Sequence, residues 1–252
     1  MRVTIYQFDI VWMNPNLNFE KIESICKKIT GKSDLLVLPE MFNTGYTMSP
    51  SEIPTIWQSE TIDFLKLMAQ NYNVSICGSI PFERKSNYYN TFIFVGPEGL
   101  THSYDKVHLF TPAGEKAVYS AGQNTQFIGF YNFEIQPLIC YDLRFPYISY
   151  RNEKKDIIIY SANWPRARVN HWKVLLQARA IENQCFVIGV NRTGSDNNGY
   201  DYPGSSMIID YAGHIITELN DQPNFETHTF DLNLLNEFRT KLPFLNDRQM
   251  NK

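Results

Sequence analysis

Leu35-Leu36-Val37-Leu38 is a run of four apolar residues that stops at Pro39-Glu40. A short, continuous apolar run is the pattern of a strand buried on both faces, as in a parallel sheet with helices laid over it. Residues 3–11 upstream alternate apolar and polar side chains and read as another strand. Asn14-Pro15-Asn16 reads as a turn. Phe19, Ile22, Cys26 and Ile29 then recur at helical spacing, with Gly31 as a stop. Ile62, Leu65, Ala69 and Tyr72 mark a second helix, and residues 74–80, 91–96 and 101–104 read as further strands.

The second half echoes the first. Residues 136–140 and 156–160 are apolar runs rich in β-branched residues. Trp172, Leu175, Leu176, Arg179 and Ala180 suggest a helix, and a strand follows at 186–190. Residues 207–210 and 215–219 read as a hairpin turning at Tyr211-Ala212-Gly213-His214. This order predicts a mixed α/β sandwich. No linker rich in Pro, Gly or Ser divides the chain, so residues 1–252 are read as one domain. Residues 236–252 form a polar tail holding Phe238, Leu242, Phe244 and Leu245, a segment that either docks on a partner subunit or frays.

Composition narrows the function. Of 252 residues, 43% are hydrophobic and 19% charged, which excludes a disordered chain. The net charge of -3, with no basic stripe, argues against nucleic acid as a partner. No apolar stretch approaches the ~20 residues that span a bilayer, and residues 1–12 do not read as a signal peptide. Cys26, Cys77, Cys140 and Cys185 are scattered, without zinc-site spacing. They read as reduced thiols of a cytoplasmic protein, and neither a metal nor a cofactor is expected.

Three reactive side chains sit where apolar runs end. Glu40 follows residues 35–38, Cys140 closes Pro137-Leu138-Ile139, and Lys106 lies just past the strand at 101–104. In α/β sheets, ligands bind beyond the carboxyl ends of strands. Taken singly, each has a commoner plain reading: Cys140 as a small core hydrophobe, Glu40 as a solvated loop charge and Lys106 as a surface residue. Together they form a reaction set. A thiolate is a nucleophile, but a free thiol titrates near ~8.5 and needs activation. Glu40 can take its proton as general base and return it to a leaving amine. Lys106 is suited to stabilise an oxyanion and to pair with Glu40, and the Tyr141 backbone N–H is a second oxyanion donor.

Leu-Pro-Glu-Met-Phe-Asn-Thr-Gly-Tyr (38–46), Tyr-Asp-Lys-Val-His-Leu-Phe (104–110) and Cys-Tyr-Asp-Leu-Arg-Phe-Pro (140–146) resemble, in order and spacing, the glutamate, lysine and cysteine motifs of the nitrilase superfamily of carbon–nitrogen hydrolases. The resemblance implies a Glu40–Lys106–Cys140 triad on a four-layer αββα sandwich, and a dimer or higher homo-oligomer. It also implies that Glu115, shortly after the lysine motif, orients Lys106 or the substrate amine.

The segment 161–168, Ser-Ala-Asn-Trp-Pro-Arg-Ala-Arg, with His171-Trp172, residues 178–184 and Asn191-Arg192-Thr193-Gly194-Ser195-Asp196, is similar to the bacterial omega-amidase branch. Those enzymes hydrolyse the terminal amide of 2-oxoglutaramate and 2-oxosuccinamate. Such substrates carry a carboxylate, which a planar guanidinium binds bidentately. Arg168 is the first candidate for that contact and Arg166 the second. Phe42, Tyr46 and Trp164 are the expected apolar walls. Arg144 resembles a buried structural arginine and is left out, and none of the five histidines is given a catalytic role. Hydrolysis of N-carbamoyl compounds or nitriles is the alternative on the same triad. A non-catalytic binding module is the alternative outside enzymology, disfavoured by the intact triad.

Overall fold

The computed structural model describes residues 1–150 and 155–248. The first half holds β1 (Arg2–Gln7), α1 (Pro15–Ile29), β2 (Leu35–Val37), α2 (Ile56–Tyr72), β3 (Ser75–Arg84), β4 (Asn87–Gly96) and β5 (Gly99–Asp105). The second holds α3 (Glu115–Val118), β6 (Ile128–Phe130), β7 (Phe133–Ile139), α4 (Pro146–Ser149), β8 (Ile157–Ala162), α5 (Val169–Asn183) and β9 (Phe186–Asn191). There follow β10 (Thr193–Ser195), β11 (Asp201–Pro203), β12 (Met207–Ile209), β13 (Ile215–Glu218), β14 (Asn224–Thr229) and α6 (Leu232–Lys241).

Two six-stranded sheets result, ordered β14-β1-β2-β3-β4-β5 and β13-β12-β9-β8-β7-β6. Each repeats one plan. Three central strands run parallel, with one strand paired antiparallel on one side and two successive antiparallel pairings on the other. The alternating side chains of β2 show how the layers stack. Leu35 and Val37 join the core shared with Ile139, Ile159 and Ile188 of the second sheet. Leu36 and Leu38 join a separate core with Ile22, Ile25, Leu65 and Met68 of α1 and α2. On the far side, Trp172, Leu176 and Ala180 of α5 close over the second sheet. Helix, sheet, sheet, helix is the four-layer αββα sandwich. Burial of each large apolar side chain stabilises it by about 1.5–3 kcal/mol.

Several elements differ from the sequence reading. Asn14-Pro15-Asn16 is the start of α1, not a turn: the Asn14 side chain accepts the Leu17 N–H at 3.2 Å and Pro15 opens the helix. The strand expected over 3–11 ends at Gln7, because the Val11 N–H is taken by the Asn18 side chain at 2.8 Å. The tail expected from residue 236 begins inside α6, where Leu235 is buried and Arg239 donates to Asp156 Oδ1 at 2.7 Å. That helix docks on its own chain; residues 249–252 of the expected tail lie outside the described residues. Among the described residues, no helix is long and apolar enough to cross a membrane.

Candidate active site

Lys106 follows β5 directly, Cys140 follows β7 and Asn163 follows β8, while Glu40 lies just past β2. β5 is antiparallel to β4, which is antiparallel to β3, so β5 ends on the same edge as the parallel strands. Both sheets therefore deliver polar side chains to one end of the sandwich. Close packing makes room for the Glu40 turn. A Cβ at Gly78 would lie 2.9 Å from Leu38 Cβ and 2.9 Å from Phe42 Cδ1, so only glycine lets β3 approach there. Met41, after Glu40, has φ 47°, and its N–H is held by Ser79 Oγ at 3.0 Å. Cys140 has φ 42°. Left-handed backbone at residues with a Cβ costs on the order of 1–3 kcal/mol and persists only where the surroundings impose it.

Glu40, Lys106 and Glu115 are all buried and meet at one point. Lys106 Nζ donates to Glu40 Oε1 at 2.8 Å and lies 2.9 Å from each oxygen of Glu115. Asn90 Nδ2 donates to both carboxylates, at 2.8 and 3.1 Å. Tyr46 Oη and the Phe110 N–H donate to Glu115 Oε2 at 3.0 and 2.6 Å. The second Glu40 oxygen accepts the Asn163 N–H at 2.9 Å, and the carbonyl of Asn163 lies 3.8 Å from Cys140 Sγ. Asn163 thus touches both the carboxylate and the thiol.

The electrostatics set the resting protonation. Burial alone would lower the Lys106 value, but the charges of Glu115 and Glu40 outweigh it and hold the ammonium charged. Burial, with the charge of Glu115 added, pushes the Glu40 carboxyl above its ordinary value despite Lys106. Burial and the neighbouring Glu40 charge push the Cys140 thiol well above its ordinary value. The ground state is a neutral thiol beside a carboxylate of raised basicity, the arrangement of a nucleophile and its general base.

Cys140 and Tyr141 border a pocket walled by Tyr46, Phe110, Trp164, Tyr200 and Tyr202. Tyr141 lies in the first turn of a 3-10 helix, Cys140–Arg144, where backbone N–H groups have no intrahelical acceptor. Arg168 lines the pocket with its guanidinium 5.4 Å from the centre of the Phe110 ring. Trp164 is nearly buried, and its indole N–H donates to the Arg168 carbonyl at 2.8 Å.

Three residues stand elsewhere than expected. Phe42 is in the core beneath α1 and α2, not a pocket wall, because its ring fills the space above Gly78. Arg166 points away from the pocket and pairs with Asp201 and Asp221. Arg144, expected to be buried and structural, is only partly buried and lines the pocket, its guanidinium 4.8 Å from the Trp164 ring centre. Asn90, Phe110, Tyr200 and Tyr202 had not been anticipated. Asn90 alone left a trace in sequence, as an amide in the aromatic run Tyr88-Tyr89-Asn90-Thr91-Phe92. Among the described residues, no group of three or more His, Cys, Asp or Glu side chains is placed to hold a metal ion.

Comparison with known proteins agrees with this geometry. The profile of the carbon–nitrogen hydrolase family matches residues 2–240. The chain is 38% identical over 248 residues to the omega-amidase YafV of Escherichia coli, covering 98% of this chain and 96% of that protein. It is 35% identical over 250 residues to the 2-oxoglutaramate amidase of Bacillus subtilis, covering 97% and 96%. The crystal structure of a CN-hydrolase superfamily protein from Xanthomonas campestris, with an arsenic adduct in its active site, superposes with a TM-score of 0.92 at 32% identity. That match covers 100% of this chain and 98% of the other.

Proposed function

Because this chain belongs to the carbon–nitrogen hydrolase family, we propose that it is an omega-amidase, hydrolysing the terminal amide of 2-oxoglutaramate or 2-oxosuccinamate. The observation that carries the substrate is the pair of guanidiniums, Arg144 and Arg168, on the aromatic walls beside Cys140. Among the described residues neither forms an ion pair with a carboxylate, so both are available to one brought by the substrate. Arg168 is the first choice for that contact; the ion pairs of Arg166 argue against it.

In this mechanism Glu40 takes the Cys140 proton as Sγ attacks the amide carbon. The oxyanion of the tetrahedral adduct is met by the Lys106 ammonium and the Tyr141 N–H. Protonated Glu40 then gives its proton to the departing nitrogen, ammonia leaves, and a thioester remains. Glu40 takes a proton from water, the resulting hydroxide attacks the thioester, and the 2-oxo acid departs as the proton returns to sulfur. Glu115 fixes Lys106 in place from its opposite side. The small-molecule amide is the partner in this reaction, which needs no cofactor.

Exposed Val174 and Ile181 on α5, with Leu242 and Phe244 after α6, support a homodimer built by residues of this one domain. A nucleophilic thiol supports a cytoplasmic setting, where it stays reduced. The test of function is ammonia release across a panel of small amides, nitriles and N-carbamoyl compounds. The 2-oxo acid amides should give the highest kcat/KM; a preference for nitriles or carbamoyl compounds would overturn the substrate.

A further inference from the structure

The segments carrying Lys106 and Cys140 are fastened together two residues further along each, at His108 and Asp142. Asp142 is wholly buried, and its carboxylate collects donors from both segments. Oδ2 accepts the Ile139 N–H at 3.0 Å and the Tyr104 hydroxyl at 2.7 Å. Oδ1 accepts the backbone N–H of His108 at 3.0 Å and its ring Nδ1–H at 2.8 Å. Because the carboxylate can only accept, Nδ1 carries a ring proton, and Nε2 meets the Tyr147 hydroxyl. The His108 ring also lies flat on Phe145, with centroids 4.0 Å apart and planes 14° from parallel.

Two consequences meet here. Asp142 binds the N–H of the residue before Cys140, so its carboxylate spans the left-handed kink at the nucleophile from both sides. His108 is fastened to Asp142, Phe145 and Tyr147, all downstream of Cys140, yet it belongs to the loop that begins at Lys106. We infer that His108, acting through Asp142, is a positioning residue that holds the Cys140 kink and the Lys106 loop in one register. The inference rests on reading Cys140 as nucleophile and Lys106 as oxyanion cation. His108 does not line the pocket, so it acts without touching substrate.

A plain packing role would rest on the ring stacked on Phe145. Two substitutions separate the roles. His108→Phe keeps a flat ring and removes both nitrogens. His108→Asn loses the ring but places an amide N–H near the Nδ1 position. The measurements are kcat and KM for 2-oxoglutaramate, and the rate at which iodoacetamide alkylates Cys140. The expected result is a fall in kcat of about 10²-fold for His108→Phe, with KM within about threefold, since misplacement by about 1 Å costs that much. Alkylation should slow as well, and His108→Asn should recover most of both. The reverse order, with His108→Phe near normal and His108→Asn impaired, overturns the inference in favour of packing. If His108→Phe does not fold, His108→Gln replaces it, its amide reaching the Nε2 position and missing Asp142; activity equal to wild type overturns the inference. If alkylation of Cys140 leaves wild-type activity intact, the nucleophile assignment falls and this inference with it. If alkylation inactivates the wild type but both variants match it in kcat and alkylation rate, this inference alone falls.

Discussion

Asn163 is joined to Glu40 twice: its backbone N–H donates to Glu40 Oε2 at 2.9 Å, and its side-chain Nδ2 donates to the Glu40 carbonyl at 2.8 Å. One residue from the second sheet therefore holds both the carboxylate and the backbone of the proposed base in the first. Asn163→Ala keeps the backbone bond and loses the other. The expected outcome is a fall in kcat of roughly tenfold, from looser placement of the base, with a melting temperature lowered by an amount in keeping with about 1–2 kcal/mol. Steady-state kinetics beside thermal melts check both.

Cys140→Ala should end ammonia release and leave the fold intact, since losing a small thiol costs little packing. Alanine keeps the left-handed strain at φ 42°. Cys140→Gly removes it, and should melt higher than Cys140→Ala by the equivalent of about 1 kcal/mol. Turnover above a tenth of wild type in either variant would defeat the nucleophile assignment.

Lys106→Ala strips the cation from between Glu40 and Glu115, two buried carboxylates. Removing one partner of a buried pair costs about 3–5 kcal/mol, so this variant should be both inactive and markedly less stable. Glu40→Gln should lose on the order of 10²-fold in kcat while melting close to wild type. A Lys106→Ala protein with normal activity would remove the oxyanion role.

The raised Glu40 value has a pH signature. Its carboxyl is protonated at pH values where an ordinary glutamate, at 4.5, is already ionised, so the acid limb of kcat/KM should lie above 4.5. The sign for stability is opposite to that of a salt-bridged carboxylate of lowered value. Raising the pH from the unfolded to the folded value ionises the unfolded chain first, so Glu40's own contribution to stability falls across that window. A pH–rate profile of wild type, with Glu40→Gln lacking the acid limb, checks the assignment.

For the substrate carboxylate, Arg168→Ala should weaken 2-oxoglutaramate use by roughly 2–5 kcal/mol in transition-state binding and affect a neutral amide of equal length far less. Arg166→Ala removes only half-exposed surface pairs and should change neither by more than about 1 kcal/mol. Kinetics on both substrates give the comparison. An unchanged ratio in Arg168→Ala would move the contact to Arg144.

Much of this was legible in the sequence, and the misses share physical causes. The apolar run at 35–38 announced a strand buried on both faces and the run at 136–140 another strand, and Glu40 and Cys140 at their ends are among the residues that form or border the site. β14 escaped notice because its residues, Asn224 to Thr229, lie at a sheet edge and are mostly exposed or half-buried, leaving no apolar signature. Side-chain direction was the other blind spot. Arg144, Arg166 and Arg168 are alike in composition, and only the short 3-10 turns at Cys140–Arg144 and Arg166–Arg168 decide which guanidinium faces the pocket. Phe42 and Tyr46 likewise sit four positions apart on one loop, yet one packs beneath helices and the other bonds Glu115.

The repeated plan of the two sheets divides the chemistry along the chain. The base and the side chains that hold it and the oxyanion cation, Glu40, Asn90, Lys106 and Glu115, are synthesised before Cys140, whose segment, with the Tyr141 N–H and the Asn163 bridge, arrives with the second sheet. A ribosome-bound first half would therefore hold a lysine and two carboxylates with no nucleophile to serve. The thiol, once made, has no base until the sheets close face to face. Reactivity toward the amide is a property of the finished sandwich alone, because the base that takes the thiol's proton comes from the other sheet.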